Sequence, residues 1–107
     1  MRNFARHLLA FGAILTMAVL TALAQNDAKD LYLNKCAVCH GPDGAGKTAK
    51  GRKVKAVDVR ESSKKLSVDQ MMKIVQEGKG DNMNAYGKEL SKEQIKAVVD
   101  HYRSLAK

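Results

Sequence analysis

Cys36-Ala37-Val38-Cys39-His40-Gly41-Pro42-Asp43-Gly44 is the stretch on which the reading of this chain turns. Two thiols three positions apart project from the same side of one turn of chain, and an imidazole follows at once. This is the attachment signature for covalently held haem. The sulfurs of Cys36 and Cys39 can add to the two vinyl groups on one edge of the macrocycle, and His40 then stands under the iron. Three other uses of the same residues fit less well. A redox dithiol belongs beside a βαβ pattern, and the hydrophobic periods here are helical. Structural zinc wants four ligands, and beyond residue 24 the chain offers only Cys36, Cys39, His40 and His101. His101 sits within a helical pattern and reads as a surface or helix-packing residue. A plain disulfide closing so short a ring adds little entropy and leaves His40 without a role.

The rest of the sequence agrees with a small cofactor-stapled domain. Its 107 residues fit one domain at most and exclude a large enzyme with its own deep cleft. Met1 to His7 carries Arg2 and Arg6 without an acid. Leu8 to Ala24 is then an uncharged run of 17 residues ending Ala22-Leu23-Ala24. A basic start, an apolar middle and a small-x-small ending make a secretory signal peptide, so residues 1–24 are expected to be cleaved, leaving 25–107 as the domain. A retained anchor is the competing reading, since the run lies at the lower edge of what spans a bilayer, roughly 17 residues. Cleavage would remove two arginines and lower the formal net charge from +8 to +6. A domain of this size buries only ~60% of its unfolded surface and needs a staple. Beyond residue 24 its only aromatics are Tyr32, Tyr86 and Tyr102.

Three segments carry helical periodicity. Asp27 to Asn34 places Ala28, Leu31 and Tyr32 on one stripe. Ser67-Val68-Asp69-Gln70 matches a capping box, followed by Val68, Met71, Met72 and Val75 on one face and by Gly78 as a stop. Ser91-Lys92-Glu93-Gln94 repeats the box, and Ile95, Val98, Val99, Tyr102 and Leu105 form the longest stripe. Gly41 to Ser63 reads as a long loop, extended over Val54 to Val59 with at most a helical turn after it. It needs something to wrap around. Gly78 to Leu90 is a second loop.

A second axial ligand must come from far along the chain. Met71 and Met72 stand at core spacing. Met83 lies in a polar, Gly-flanked loop 43 positions after His40, with no apolar period to account for it. It is the expected thioether ligand; such a ligand raises the reduction potential, as suits an electron carrier.

At this point the sequence resembles the small class I cytochromes c of the bacterial monohaem type. Cys36 to Gly46 is similar to the family's haem-binding segment, Met83-Asn84-Ala85-Tyr86-Gly87 to its methionine loop, and Leu90 to Leu105 to its last helix. The resemblance implies an all-α cytochrome c fold, with three or more helices and long loops around one covalent haem c and its iron. It implies that the first and last helices cross near the haem, bringing Ala28 and Tyr32 to the Val98/Tyr102 face. Two departures stand out. Asn84 occupies the position after the ligand Met where the family usually has Pro, which could loosen the loop. No Pro stands in Lys55-Ala56-Val57-Asp58, so Ala56 or Val57 would have to offer the carbonyl that accepts from the proximal imidazole. Arg52, Lys53 or Lys55 are candidates, by charge alone, for the haem propionates.

The expected function is that of a periplasmic electron carrier, a soluble monomer and not an enzyme, cycling between ferrous and ferric iron. Its lysines would steer it to acidic docking surfaces on redox partner proteins. Nucleic acid is not an expected partner, and no membrane insertion is expected after cleavage. The alternative is a haem-based sensor or peroxidase-like protein in which Met83 is labile or absent from the iron.

Overall fold

The computed structural model describes residues 25–107. The expected signal peptide, 1–24, lies outside the described residues. Six helices follow one another: α1 over 25–35, α2 Ala37–His40, α3 Ala49–Lys53, α4 Val59–Lys65, α5 Val68–Glu77 and α6 Lys92–Ser104. Among the described residues no strand forms; one isolated antiparallel bridge joins Lys79 to Met83.

The two capping boxes determine where the longest helices begin. Ser67 and Ser91 accept from the backbone N–H of Gln70 and Gln94, at 3.2 and 3.1 Å. Each glutamine side chain accepts in return from the serine N–H, at 2.8 and 2.9 Å. Four otherwise orphaned donors are satisfied in this way. The stripes then pair: α5 packs on α6, with buried Met71 against Ile95, Val99 and Leu90. α1 joins from the other end of the chain. Ala28 and Tyr32 are buried on it, and the Tyr32 ring lies 5.0 Å from that of His101 and 6.3 Å from that of Tyr102. His101 is therefore a packing residue on α6.

The stretch 41–63 differs from its reading as a loop, because it holds α3 and most of α4. Their signals are caps without apolar periodicity. The Thr48 hydroxyl accepts from Gly51 N–H at 2.9 Å, and the Asp58 carboxylate accepts from Arg60 N–H at 2.9 Å. Both are favoured N-cap residues, but the turns they start, Ala-Lys-Gly-Arg-Lys and Val-Arg-Glu-Ser-Ser-Lys-Lys, carry too few apolar residues to show a stripe. α3 holds its place by close approach. A Cβ on Gly51 would stand 2.1 Å from the carbonyl oxygen of Cys39 and 2.7 Å from that of Gly46.

Gly51→Ala should therefore push α3 off the 36–40 turn, at a cost of about 1–3 kcal/mol. Thermal unfolding of the haem-loaded protein should show a Tm loss of at least about 4 °C. An unchanged Tm would mean that α3 has room to move. Asp58 gives a pH-dependent expectation. Its hydrogen bonds from the Arg60 side chain and backbone hold its carboxyl down at about 2. A carboxyl lowered in the folded state contributes stability above its unfolded value, about 3.9, and loses that contribution as pH falls through the folded value. Tm should thus drop between about pH 4 and pH 2 more steeply for the native chain than for Asp58→Asn.

Candidate functional site

α1 ends where the motif begins, and the backbone continues through one more turn. Cys36 N–H donates to the Tyr32 carbonyl at 2.8 Å, and His40 N–H to the Cys36 carbonyl at 2.9 Å. Both thiols and the imidazole are thereby carried on a single turn. Two side chains fix it. The buried Tyr32 hydroxyl donates to the Gly41 carbonyl at 2.6 Å, and the Thr48 hydroxyl donates to the Val38 carbonyl at 2.7 Å. Burial pushes the Tyr32 phenol well above its ordinary value, so it remains a donor throughout the accessible pH range.

Cys36, Cys39, His40 and Met83 all line one cavity of about 300 Å³. Its apolar walls come from Met71, Ile74 and Val75 on α5 and from Val98 and Val99 on α6. His40 is half-buried, and its Nδ1 is buried without a hydrogen-bond partner among the described residues. Burial lowers its pKa, which keeps the imidazole neutral and its lone pair free to ligate. Its ring meets Tyr102 edge-on, with centroids 5.2 Å apart and planes at 65°. The Tyr102 hydroxyl shares a hydrogen bond with Ser62 at 2.9 Å and lies 3.4 Å from the Val57 carbonyl. Burial, with Cys39 adding to it, pushes the Cys36 thiol up to about 11. A dithiol redox centre needs the opposite shift. Cys36 and Cys39 are free thiols, and no cluster of three or more His, Cys, Asp or Glu among the described residues is placed to hold a metal ion.

Of the two methionine sulfurs on the cavity wall, that of Met71 is engaged. Arg103 Nη1 donates to it at 3.7 Å, and Met71 is a core residue. Met83 is half-buried and held by the bridge to Lys79, whose N–H donates to its carbonyl at 2.8 Å. The carbonyl expected to receive the imidazole N–H is not engaged by it. Val57 offers its oxygen to Tyr102, and the Ala56 oxygen faces Gly46, where a Cβ would lie 2.7 Å away. Among Arg52, Lys53 and Lys55, the cavity is lined by Lys55 alone, joined by Lys50. α3 carries Arg52 and Lys53 exposed and away from it. Charge in the sequence could not separate these cations, and the backbone does. Lys55 is the one non-glycine residue with positive φ, 57°, among the described residues.

A family model described as "Cytochrome C oxidase, cbb3-type, subunit III" matches residues 23–101. The chain is a class I cytochrome c. Among solved structures it is similar to the KustC0563 c-type cytochrome, at 30% identity and a TM-score of 0.70, over 75% of this chain and 98% of that one. No curated protein matches it. As a cytochrome c the chain is a haem-based electron carrier whose haem c is held covalently. The residues fit that group: two free thiols on one turn, a neutral imidazole with a buried, unpartnered nitrogen, a thioether, and apolar walls around one cavity. No helix among the described residues is long and apolar enough to cross a membrane.

Tyr32→Phe removes one hydroxyl and leaves the buried Gly41 carbonyl without its donor. Unfolding of the haem-loaded cytochrome in denaturant should show a loss of about 1–3 kcal/mol. A loss below about 0.5 kcal/mol would place the restraint on the 36–40 turn elsewhere.

Proposed function

We propose that Cys36 and Cys39 carry the thioether bonds to the haem, that His40 and Met83 are its axial ligands, and that the cytochrome shuttles electrons in the periplasm without transforming a substrate. The observation that supports this most is convergence. A thioether 43 positions beyond the imidazole lines the same cavity as both thiols. Bound haem supplies a one-electron ferrous/ferric couple. The polypeptide's work is to bind, orient and exclude water. His40 offers a neutral nitrogen, Met83 a soft sulfur that favours the reduced state, and the walls from α5 and α6 exclude water.

Lys35, Lys50, Lys55 and Lys79 line the cavity alongside a single acid, Asp81. Val38 and Val57, also on its lining, are 55% and 43% exposed. An apolar spot among cations suits brief docking to acidic surfaces on redox partners. The alternative, a sensor or peroxidase-like protein, requires a Met83 that is labile or absent from the iron. Several backbone bonds of the 78–90 loop oppose it: Lys79 N–H to Met83, Tyr86 N–H to Val75 at 2.9 Å and Gly87 N–H to Gln76 at 3.0 Å.

The deciding experiment is an intact mass and a visible spectrum of protein exported from a host with haem-attachment machinery. The expected mass is that of polypeptide plus one haem, and the ferric form should show the weak far-red band of a methionine–iron bond. Met83→Ala should keep the haem, lose that band, lower the potential and bind carbon monoxide when reduced. Colourless protein with the mass of bare polypeptide would refute the attachment. A Met83→Ala spectrum identical to that of the native chain would refute the ligand.

A further inference from the structure

The loop that carries Met83 contains Gly78, Gly80 and Gly87 and no proline. Asn84 and Ala85, directly after Met83, are exposed. Such a composition favours flexibility, and side chains add to the backbone bonds that restrain the loop. Two side chains from its far half reach one residue at the other side of the sequence. The Tyr86 hydroxyl donates to the Lys35 carbonyl at 3.3 Å, and the Glu89 carboxylate pairs with the Lys35 ammonium. Lys35 is the residue immediately before Cys36. The loop is therefore fastened, across more than fifty positions of sequence, to the start of the turn that bears the thiols and His40.

We propose that Tyr86 and Glu89 are positioning residues that staple the methionine loop to Lys35 and so hold Met83 closed on the iron. This rests on Met83 being the axial ligand. Neither contact would suffice alone. A distance of 3.3 Å is long for an O–H···O bond, and an exposed ion pair is weak. Their convergence on a single residue gives the restraint its direction. Tyr86 is also anchored through its backbone, since its N–H donates to Val75 and its carbonyl accepts from Leu90 N–H at 2.9 Å. Its ring packs against the α5–α6 core. Tyr86 thus transmits the position of that core to a point three residues from Met83.

The test uses haem-loaded native protein, Tyr86→Phe, Glu89→Gln and Met83→Ala, with free imidazole as the probe that competes with methionine at ferric iron. Tyr86→Phe keeps the ring and loses only the hydroxyl; its imidazole affinity should rise about twofold to threefold, the low end of the range for one hydrogen bond. Glu89→Gln should raise affinity about twofold at low ionic strength. Near about 1 M salt the native chain should match it, because screening removes the pair. A merely structural role would lower the unfolding midpoint and leave these affinities and their salt dependence unmoved. Unchanged affinity in both variants, with the far-red band intact in the native chain, would overturn the staple while leaving the ligand in place. If Met83→Ala bound imidazole no more tightly than the native chain, the ligand reading would fall and the staple with it.

Discussion

The hydroxyl of Tyr32 and the carbonyl of Gly41, 2.6 Å apart in a buried setting, close a loop around the five residues that carry the chemistry. Without that bond the end of α1 and the exit from His40 would be joined only through a four-residue helix, α2, with no side-chain cap and no buried residue of its own. So short a helix has no independent stability. Thr48 binds it from the other side through the Val38 carbonyl, and Gly51 allows α3 to lie against the Cys39 carbonyl. The turn is rigid because its neighbours hold its carbonyls; Tyr32 does so from the apolar stripe of α1, whereas Thr48 and Gly51 belong to a part of the sequence with little hydrophobic pattern.

That division explains what was legible. α5 and α6 could be read to within a residue because two independent signals coincide in each, a capping box and an apolar stripe. The Cys36/Cys39/His40 pattern could be read because its chemistry is written in consecutive residues. α3 and α4 could not, since Thr48 and Asp58 act as caps but α3 packs through Gly51 and backbone, and α4 through a single buried apolar residue, Val59, too few to make a stripe. Met83 stands apart from Met71 and Met72 by its loop setting, and the structure adds a difference between the two methionines that line the cavity: Arg103 donates to the sulfur of Met71. The choice among Arg52, Lys53 and Lys55 was illegible, because it depends on where α3 ends and on the positive-φ backbone at Lys55 that follows it.

Lys55 shows how the fold places a charge against local preference. A non-glycine residue at a φ of 57° carries a cost of order 1–3 kcal/mol, which the surroundings must offset. Ala56 N–H bonds to the Gly51 carbonyl at 2.8 Å and Lys55 N–H to that of Arg52 at 3.3 Å, so the backbone on both sides is pinned. The result is a cation on the lining of the cavity.

The surroundings of His40 follow the same logic with polar groups. Tyr102 has one proton to give. If it donates to Val57, Ser62 must donate to Tyr102; if it donates to Ser62, the Ser62 hydroxyl turns to the Val59 carbonyl at 3.4 Å. The first arrangement occupies a lone pair of the Val57 carbonyl, and the second leaves both of them for other donors. On the same cavity lining the Nδ1 of His40 is buried without a partner, and the hydrogen bonding of that nitrogen controls how strongly an imidazole donates to a metal. With Tyr102 donating to Val57, that carbonyl is taken up from α6, and His40 is met by the edge of the Tyr102 ring. Burial raises the Tyr102 phenol above its ordinary value, so its proton stays in place at neutral pH and the choice between Val57 and Ser62 is set by packing instead of by titration.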